Sequence, residues 1–217
     1  MTLTRRVASE ALGTAALLVA VVGSGIMGER LASGNVAIAL LANAIATGAA
    51  LAVLILSFGG ISGAHFNPAV TAAAASRGEL SWRDAIAYVG AQLTGAFAGV
   101  MCAHVMFSEP LLAWSTHARS GPAQAFSEVV ATFGLLMVIF SVAKRRPEAI
   151  PWAVGAYITA AYWFTSSTSF ANPAVTLARA TTNTFAGIRP DDVPMFLLAQ
   201  IAGATGATLF ARWFLSE

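Results

Sequence analysis

The pentapeptide Asn-Pro-Ala-Val-Thr occurs twice in this chain, at residues 67–71 and again at residues 172–176. An identical five-residue word is improbable by chance in a chain of 217 residues. Each copy follows an apolar run and predicts a helix start, because an Asn side chain caps the free N–H groups of a first turn and Pro is tolerated at the first helical position. The repeat therefore predicts two halves with equivalent helix starts at Asn67-Pro68-Ala69 and Asn172-Pro173-Ala174.

Composition places these helix starts in a membrane. Apolar residues make up 57% of the chain and charged residues only 10%, whereas soluble domains carry about 25% charged residues. A spanning helix needs ~20 mainly apolar residues, and six spans are predicted, at residues 7–27, 35–58, 84–107, 128–143, 150–164 and 193–215. The net charge of +2 indicates no nucleic-acid partner, and the single Cys102 excludes an intramolecular disulfide.

The helices that start at the two repeats are too short to cross. The first meets the polar residues 77–79 after about ten residues, or ~15 Å, which is half of a hydrocarbon core. The second short helix is expected to end by the polar residues 181–183. The predicted fold class is therefore an all-α membrane protein with six transmembrane helices and two re-entrant half-helices.

Other similarities extend the repeat along the chain. Ser9-Glu10 and Ser127-Glu128 open the first span of each half, residues 108–127 form a polar connection, and residues 91–96 are similar to residues 199–204. Because three spans per half is an odd number, the second half must be inverted. We expect one domain over residues 1–217, with inverted repeats at approximately 1–115 and 120–217.

Charge placement predicts the orientation, because cytoplasmic segments of membrane proteins carry an excess of Lys and Arg. With the N-terminus inside, the cytoplasmic segments hold Arg5, Arg6, Arg77, Arg83, Lys144, Arg145, Arg146 and Arg212, and the outer segments hold Arg30, Arg119, Arg179 and Arg189. We therefore expect a multi-pass protein of the inner (plasma) membrane with both termini in the cytoplasm.

The inversion points the positive ends of both half-helices at the membrane centre, where each carries roughly half an elementary charge. Such a focus repels cations and protons and leaves neutral molecules unaffected. Asn67 and Asn172 can donate amide N–H groups to a solute oxygen, since capping occupies their side-chain carbonyls. This arrangement predicts a pore for small uncharged polar solutes.

Together these features resemble the major intrinsic protein family, the aquaporins and aquaglyceroporins. The resemblance rests on Ser9-Glu10 with Gly13-Thr14, on residues 62–71, on Ala91-Gln92 with Gly95, and on Asn172-Pro173-Ala174. It implies a passive channel, not an enzyme, that needs no cofactor and forms a homotetramer with one pore per subunit. It also implies that Glu10 and Glu128 hydrogen-bond the re-entrant loops.

One departure concerns the selectivity filter. In most of the family an arginine follows the second Asn-Pro-Ala, whereas this chain has Val175. The resemblance assigns the other filter positions to Thr47, Ser169 and a residue between Ala160 and Tyr162. Small residues at these positions predict a wide mouth that is less cationic.

Two further residues have alternative interpretations. Arg179 lies one helical turn beyond Val175 and either points away or bends back to restore a positive filter. His65 either lines the inner mouth or is a hydrogen-bonded residue of the loop.

We therefore expect a channel for water, glycerol, urea and metalloid hydroxides such as arsenite. The last of these follows from residues 162–175, which resemble bacterial members associated with arsenic resistance. The alternatives are a strict water channel and a coupled transporter. A coupled transporter would want a midplane carboxylate, and no acidic residue occurs between Arg30 and Arg77.

Overall fold

The computed structural model describes residues 1–216. Its helices are α1 (Leu3–Leu31), α2 (Val36–Ser62), α3 (Pro68–Ser76), α4 (Trp82–Phe107), α5 (Pro122–Arg145), α6 (Ile150–Phe164), α7 (Pro173–Arg179) and α8 (Val193–Phe214), with 3-10 turns at Pro147–Ala149 and Pro190–Asp192. Six long helices and two short ones follow one another in the predicted order. The predicted all-α fold with two half-helices is confirmed.

Most boundaries agree with the sequence to within about a turn, and α5 is the exception. The polar connection was expected to run to residue 127, but α5 begins at Pro122. The expectation was wrong over the last six residues because Pro122 occupies the first helical position, where a proline favours helix initiation. The connection between α4 and α5 is shorter by the same amount.

Five helices are long and apolar enough to cross a membrane: α1, α2, α4, α5 and α8. The sixth, α6, has 15 residues, which corresponds to ~22 Å and falls short of a ~30 Å hydrocarbon core. The Pro147–Ala149 turn extends it at one end, and a loop rich in Ser and Thr continues from its other end.

Close helix contacts within each half depend on glycine. A Cβ added to Gly95 on α4 would lie 2.2 Å from the carbonyl oxygen of Ala11 on α1, and one added to Gly99 would lie 2.3 Å from that of Ala15. In the second half, a Cβ on Gly203 would lie 2.5 Å from the carbonyl oxygen of Val129. These glycines therefore bring α4 against α1 and α8 against α5 inside one subunit.

The half-helices lie between these layers. α3 contacts α4, α7 and α8, and α7 contacts α4 and α8. The loops that precede α3 and α7 therefore meet, and their contact is the centre of the site described next.

Candidate functional site

Each half-helix begins at the Asn of its Asn-Pro-Ala motif. Asn67 Oδ1 accepts from the backbone N–H of Ala69 at 2.9 Å, and Asn172 Oδ1 accepts from that of Ala174 at 3.0 Å. In both cases Pro fills the first helical position. The caps orient both side-chain amides so that their N–H groups point away from the helix they start.

The two Asn side chains bind each other's loops. Asn67 Nδ2 donates to the carbonyl oxygen of Ala171 at 2.7 Å, and Asn172 Nδ2 donates to that of Phe66 at 2.8 Å. Each amide has two N–H groups, so one remains on each Asn after this reciprocal pair has formed. Both Asn residues line the central cavity.

The loop backbones have the same unusual conformation. Ala64 and Phe66 have φ of 50° and 49°, and Ser169 and Ala171 have φ of 50° and 46°. These residues lie three and one positions before each Asn. A left-handed conformation at a residue with a side chain costs roughly 1–2 kcal/mol, so other contacts must hold both loops.

Glu10 supplies those contacts in the first half. Its Oε1 accepts from the Ser62 hydroxyl at 2.6 Å and the His65 N–H at 3.0 Å. Its Oε2 accepts from the Phe66 N–H at 2.7 Å and from Gln92 Nε2 at 2.8 Å. Glu10 is completely buried, so its carboxylate holds the loop from inside the protein.

Glu128 makes the equivalent set of bonds in the second half. It accepts from the backbone N–H groups of Phe170 and Ala171, both at 2.8 Å. It also accepts from Gln200 Nε2 at 2.7 Å, and Gln200 donates in turn to Thr176 Oγ1 at 2.8 Å. Gln92 and Thr71 form the corresponding pair at 2.8 Å.

A cavity of about 240 Å³ lies beside the two loops that precede α3 and α7, and α1, α2, α5 and α6 also line it. Its wall is largely aliphatic, with Leu17, Val21, Leu51, Ile55, Leu135, Ile139, Val154 and Ile158 among the lining side chains. The loop residues form its polar side. A passage with one apolar side and a few fixed donors suits small uncharged molecules with an oxygen acceptor.

The residues expected in the filter line this cavity, with one exception, and we call the part of the cavity that is lined by Val175 and Arg179 of α7 its α7 end. Thr47, Ser169, Val175 and Tyr162 all line it, and Tyr162 Oη donates to Thr47 Oγ1 at 3.3 Å. Ala160, the other expected candidate on α6, is exposed and is not among the lining residues. Two residues along a helix correspond to about 200° of rotation, so Ala160 and Tyr162 face opposite sides.

Arg179 also lines the cavity and is 2% exposed. Its Nε donates to the Ala186 carbonyl oxygen, and its guanidinium carbon lies 3.5 Å from the centroid of the Phe170 ring. A guanidinium is therefore present on the cavity wall although Val175 occupies the position after Asn-Pro-Ala.

The sequence analysis placed Arg119 in an outer segment but did not identify this residue, which lies in the connection before α5, as part of the site. Its Nε donates to the Gly187 carbonyl at 2.7 Å, and its Nη2 to the Phe185 carbonyl at 3.2 Å. Its guanidinium carbon is 5.1 Å from the Phe170 ring centroid. Burial lowers the pKa of Arg119 to about 10. No motif in the connection marks this residue.

His65 lies at the other end of the cavity. Its Nδ1 is 3.1 Å from Thr71 Oγ1, and its ring centroid is 5.5 Å from that of Tyr88. His65 lines the cavity and is half-buried. The two expectations for this residue, pore lining and hydrogen bonding within the loop, describe the same placement.

Comparison with known proteins gives a consistent result. The sequence model described as "Major intrinsic protein" matches residues 1–159. The aquaglyceroporin AqpS of Rhizobium meliloti (strain 1021) is 57% identical over 213 residues, which cover 98% of this chain and 91% of that protein. The aquaporin NIP6-1 of Arabidopsis thaliana is 32% identical over 73% of this chain, which spans about half (52%) of the length of that relative.

Among solved structures, the X-ray structure of the aquaglyceroporin from Plasmodium falciparum is similar, with a TM-score of 0.80. It is 23% identical, and the match covers 97% of this chain and 96% of that one. At this identity the likeness concerns the fold, and it agrees with the helix order described above.

Proposed function

The chain belongs to the major intrinsic protein family, and from that premise we propose that it forms a passive channel for water and small uncharged solutes such as glycerol. Members of this family are channels, not enzymes. The observation that carries the proposal is the cavity that passes Asn67 and Asn172 while each side chain is fixed by the opposite loop. The 57% identical relative from Rhizobium meliloti is called an aquaglyceroporin, which supports a glycerol-sized pore.

Selection against ions follows from the loop geometry. The free N–H groups of Asn67 and Asn172 offer hydrogen bonds to a water or hydroxyl oxygen, while the aliphatic wall offers none. The positive ends of α3 and α7 meet at the same place, so a proton or cation loses hydration and meets an unfavourable potential. A neutral molecule encounters neither barrier.

Solute size is proposed to be set by Thr47, Ser169, Tyr162 and Val175 at the α7 end. Three of these side chains are small, and none of the four carries a charge. Such an opening accepts glycerol, urea and metalloid hydroxides such as arsenite in addition to water. Arg179 adds charge on the wall one turn beyond Val175.

A strict water channel and a coupled transporter are the alternatives. A proton- or sodium-coupled carrier needs a carboxylate on the solute path. Among residues 1–216, the acidic residue that lines the cavity is Glu79, in the turn that follows α3, while Glu10 and Glu128 are engaged in holding the loops. This distribution favours a passive pore.

We also propose the repeat organisation, the membrane orientation and the oligomeric state of the chain. Residues 1–115 and 120–217 form two inverted repeats of one channel domain, which the equivalent contacts of Glu10 and Glu128 support. The positive-inside distribution of Lys and Arg supports cytoplasmic termini in the inner (plasma) membrane. Family resemblance supports a homotetramer with a pore in every subunit, embedded in the lipid bilayer.

Swelling and uptake of reconstituted vesicles test the selectivity. We expect the purified chain to conduct water, glycerol, urea and arsenite, and Val175→Arg to reduce passage of the three larger solutes while water still passes. Val175→Leu is the matched control for size without charge. If the unmodified chain conducts only water, the wide-filter proposal is wrong.

A further inference from the structure

Arg179 is a buried cation that forms no salt bridge within residues 1–216. No carboxylate oxygen lies within 4.0 Å of its guanidinium in residues 1–216, and its Nε–H donates to a neutral carbonyl. In the same residues neither terminal nitrogen has a hydrogen-bond acceptor. A charge that is 2% exposed and unpaired is unfavourable unless something else compensates for it.

The side chain faces the solute path. Side chains of a helix tilt toward its N-terminus, so Arg179 lies over the turn that carries Val175. Ser169 is on the same cavity wall, and its buried hydroxyl has no hydrogen-bond partner in the described residues. Unused N–H and O–H donors therefore lie along one end of the cavity.

The neighbouring charges favour an anion there. Arg119 lies over the same Phe170 ring as Arg179, and its N–H groups are occupied by the carbonyls of Gly187, Ser167 and Phe185. It adds positive charge without competing for a ligand. The buried carboxylate of this half, Glu128, is engaged by Phe170, Ala171 and Gln200.

We propose that the α7 end of the cavity is a binding site for a small oxyanion, held by Arg179 and Ser169, and that a bound anion blocks the passage of neutral solutes. A guanidinium pairs two N–H groups with two oxygens of a carboxylate, phosphate or sulfonate. We expect the anion to stay at Arg179, because a guanidinium carries a full positive charge whereas each half-helix end carries roughly half of one, and the rest of the wall is largely aliphatic. Only the block depends on the proposed channel function.

Binding is measured on the purified full chain with methanesulfonate, an oxyanion that stays ionised, against chloride at equal ionic strength. We expect a saturable rise of the thermal unfolding midpoint that Arg179→Met abolishes. Arg30→Met is the matched control, since Arg30 is exposed and paired with Glu109 at 2.7 Å. Arg179→Lys keeps the charge and should bind methanesulfonate more weakly. This variant replaces Arg179→Met in the test if the Met variant does not fold. If methanesulfonate does not raise the unfolding midpoint of the unmodified chain more than chloride does, the proposed site is wrong.

The block is measured as glycerol efflux from reconstituted vesicles. We expect methanesulfonate to inhibit efflux at the concentrations that stabilise the protein, and Arg179→Met to weaken inhibition at least about tenfold, as the loss of a charge-assisted hydrogen bond implies. A thermal shift without inhibition, or a current carried by methanesulfonate, overturns the block. Absence of glycerol efflux before any anion is added contradicts the channel proposal and leaves the binding result to decide the site.

Discussion

Asn67 donates a hydrogen bond of 2.7 Å to the carbonyl oxygen of Ala171, a residue 104 positions further along the chain. The reciprocal bond runs from Asn172 to Phe66. The Asn of each motif thus has two roles. Its side-chain oxygen caps a half-helix, and its side-chain nitrogen binds the loop of the other half. The donors that face the cavity are held from both halves at once.

Replacing Asn67 by Asp should separate these tasks. The carboxylate keeps the acceptor for Ala69, but it removes the donor to Ala171 and places a negative charge at the positive end of α3. Leaving a buried carbonyl unpaired costs about 1–3 kcal/mol. We expect slower glycerol and water passage together with increased proton leak, measured with a pH-sensitive dye in vesicles under a potassium-driven potential.

Asn43→Asp is the matched control for that experiment. Asn43 is buried and donates to the Val21 carbonyl and the Ser24 hydroxyl, both at 2.8 Å, but it does not line the cavity. The control should lower thermal stability without raising the proton leak. Equal leak in both variants would show that the effect of Asn67→Asp is not specific to the pore.

Replacing Glu128 by Gln should loosen the second loop. The new amide brings one N–H₂ group into a site where Phe170, Ala171 and Gln200 all donate, so at least one donor loses its acceptor. The expected loss is about 1–3 kcal/mol of stability, with reduced solute passage. Thermal unfolding and vesicle efflux measure the two effects.

Glu29→Gln makes the same chemical change at an exposed position on α1. It should leave the unfolding midpoint and the efflux rate near those of the unmodified chain. If Glu128→Gln also leaves the unfolding midpoint and the efflux rate unchanged, the hydrogen bonds of Glu128 do not hold the loop.

The half-helices were predictable because adjacent residues in the sequence mark where each of them starts. An Asn cap followed by Pro has the same meaning wherever it occurs, and a charge-bearing turn at residues 77–79 limits α3. The start of α5 shares only the proline of this rule, since Gly121 precedes Pro122 and provides no side-chain cap, and the polarity of residues 108–127 obscured it.

Arg119 and Ala160 show where sequence patterns stop being informative. The contacts of Arg119 come from carbonyls of residues 167–187, and nothing in its own neighbourhood in sequence encodes their position. The choice between Ala160 and Tyr162 required the rotation of α6 about its axis. That rotation depends on packing against α2, where Tyr162 contacts Thr47.

The connection before α5 should respond to acid through His117. Loss of hydration, and then the charges of Arg119 and Arg179, lower the pKa of His117 below its usual value of 6.5. The folded state therefore favours the neutral ring, so this contribution to stability is present above pH 6.5 and is lost as the pH falls through the lowered pKa. We expect the unfolding midpoint to fall less steeply between about pH 7 and about pH 5 in His117→Gln than in the unmodified chain. Identical slopes would contradict this role of His117.

The contact between α1 and α4 can be tested with two glycines of one helix. A Cβ at Gly95 would lie 2.2 Å from the Ala11 carbonyl oxygen, whereas one at Gly90 has no heavy atom within 4 Å. Gly95→Ala must therefore push two backbones apart, with an expected loss of about 1–3 kcal/mol. Gly90→Ala should be neutral or slightly stabilising, because Ala favours a helix over Gly by up to about 1 kcal/mol. Thermal unfolding of the two variants in parallel measures the difference, and a Gly95→Ala variant as stable as Gly90→Ala would show that α1 and α4 do not need this close approach.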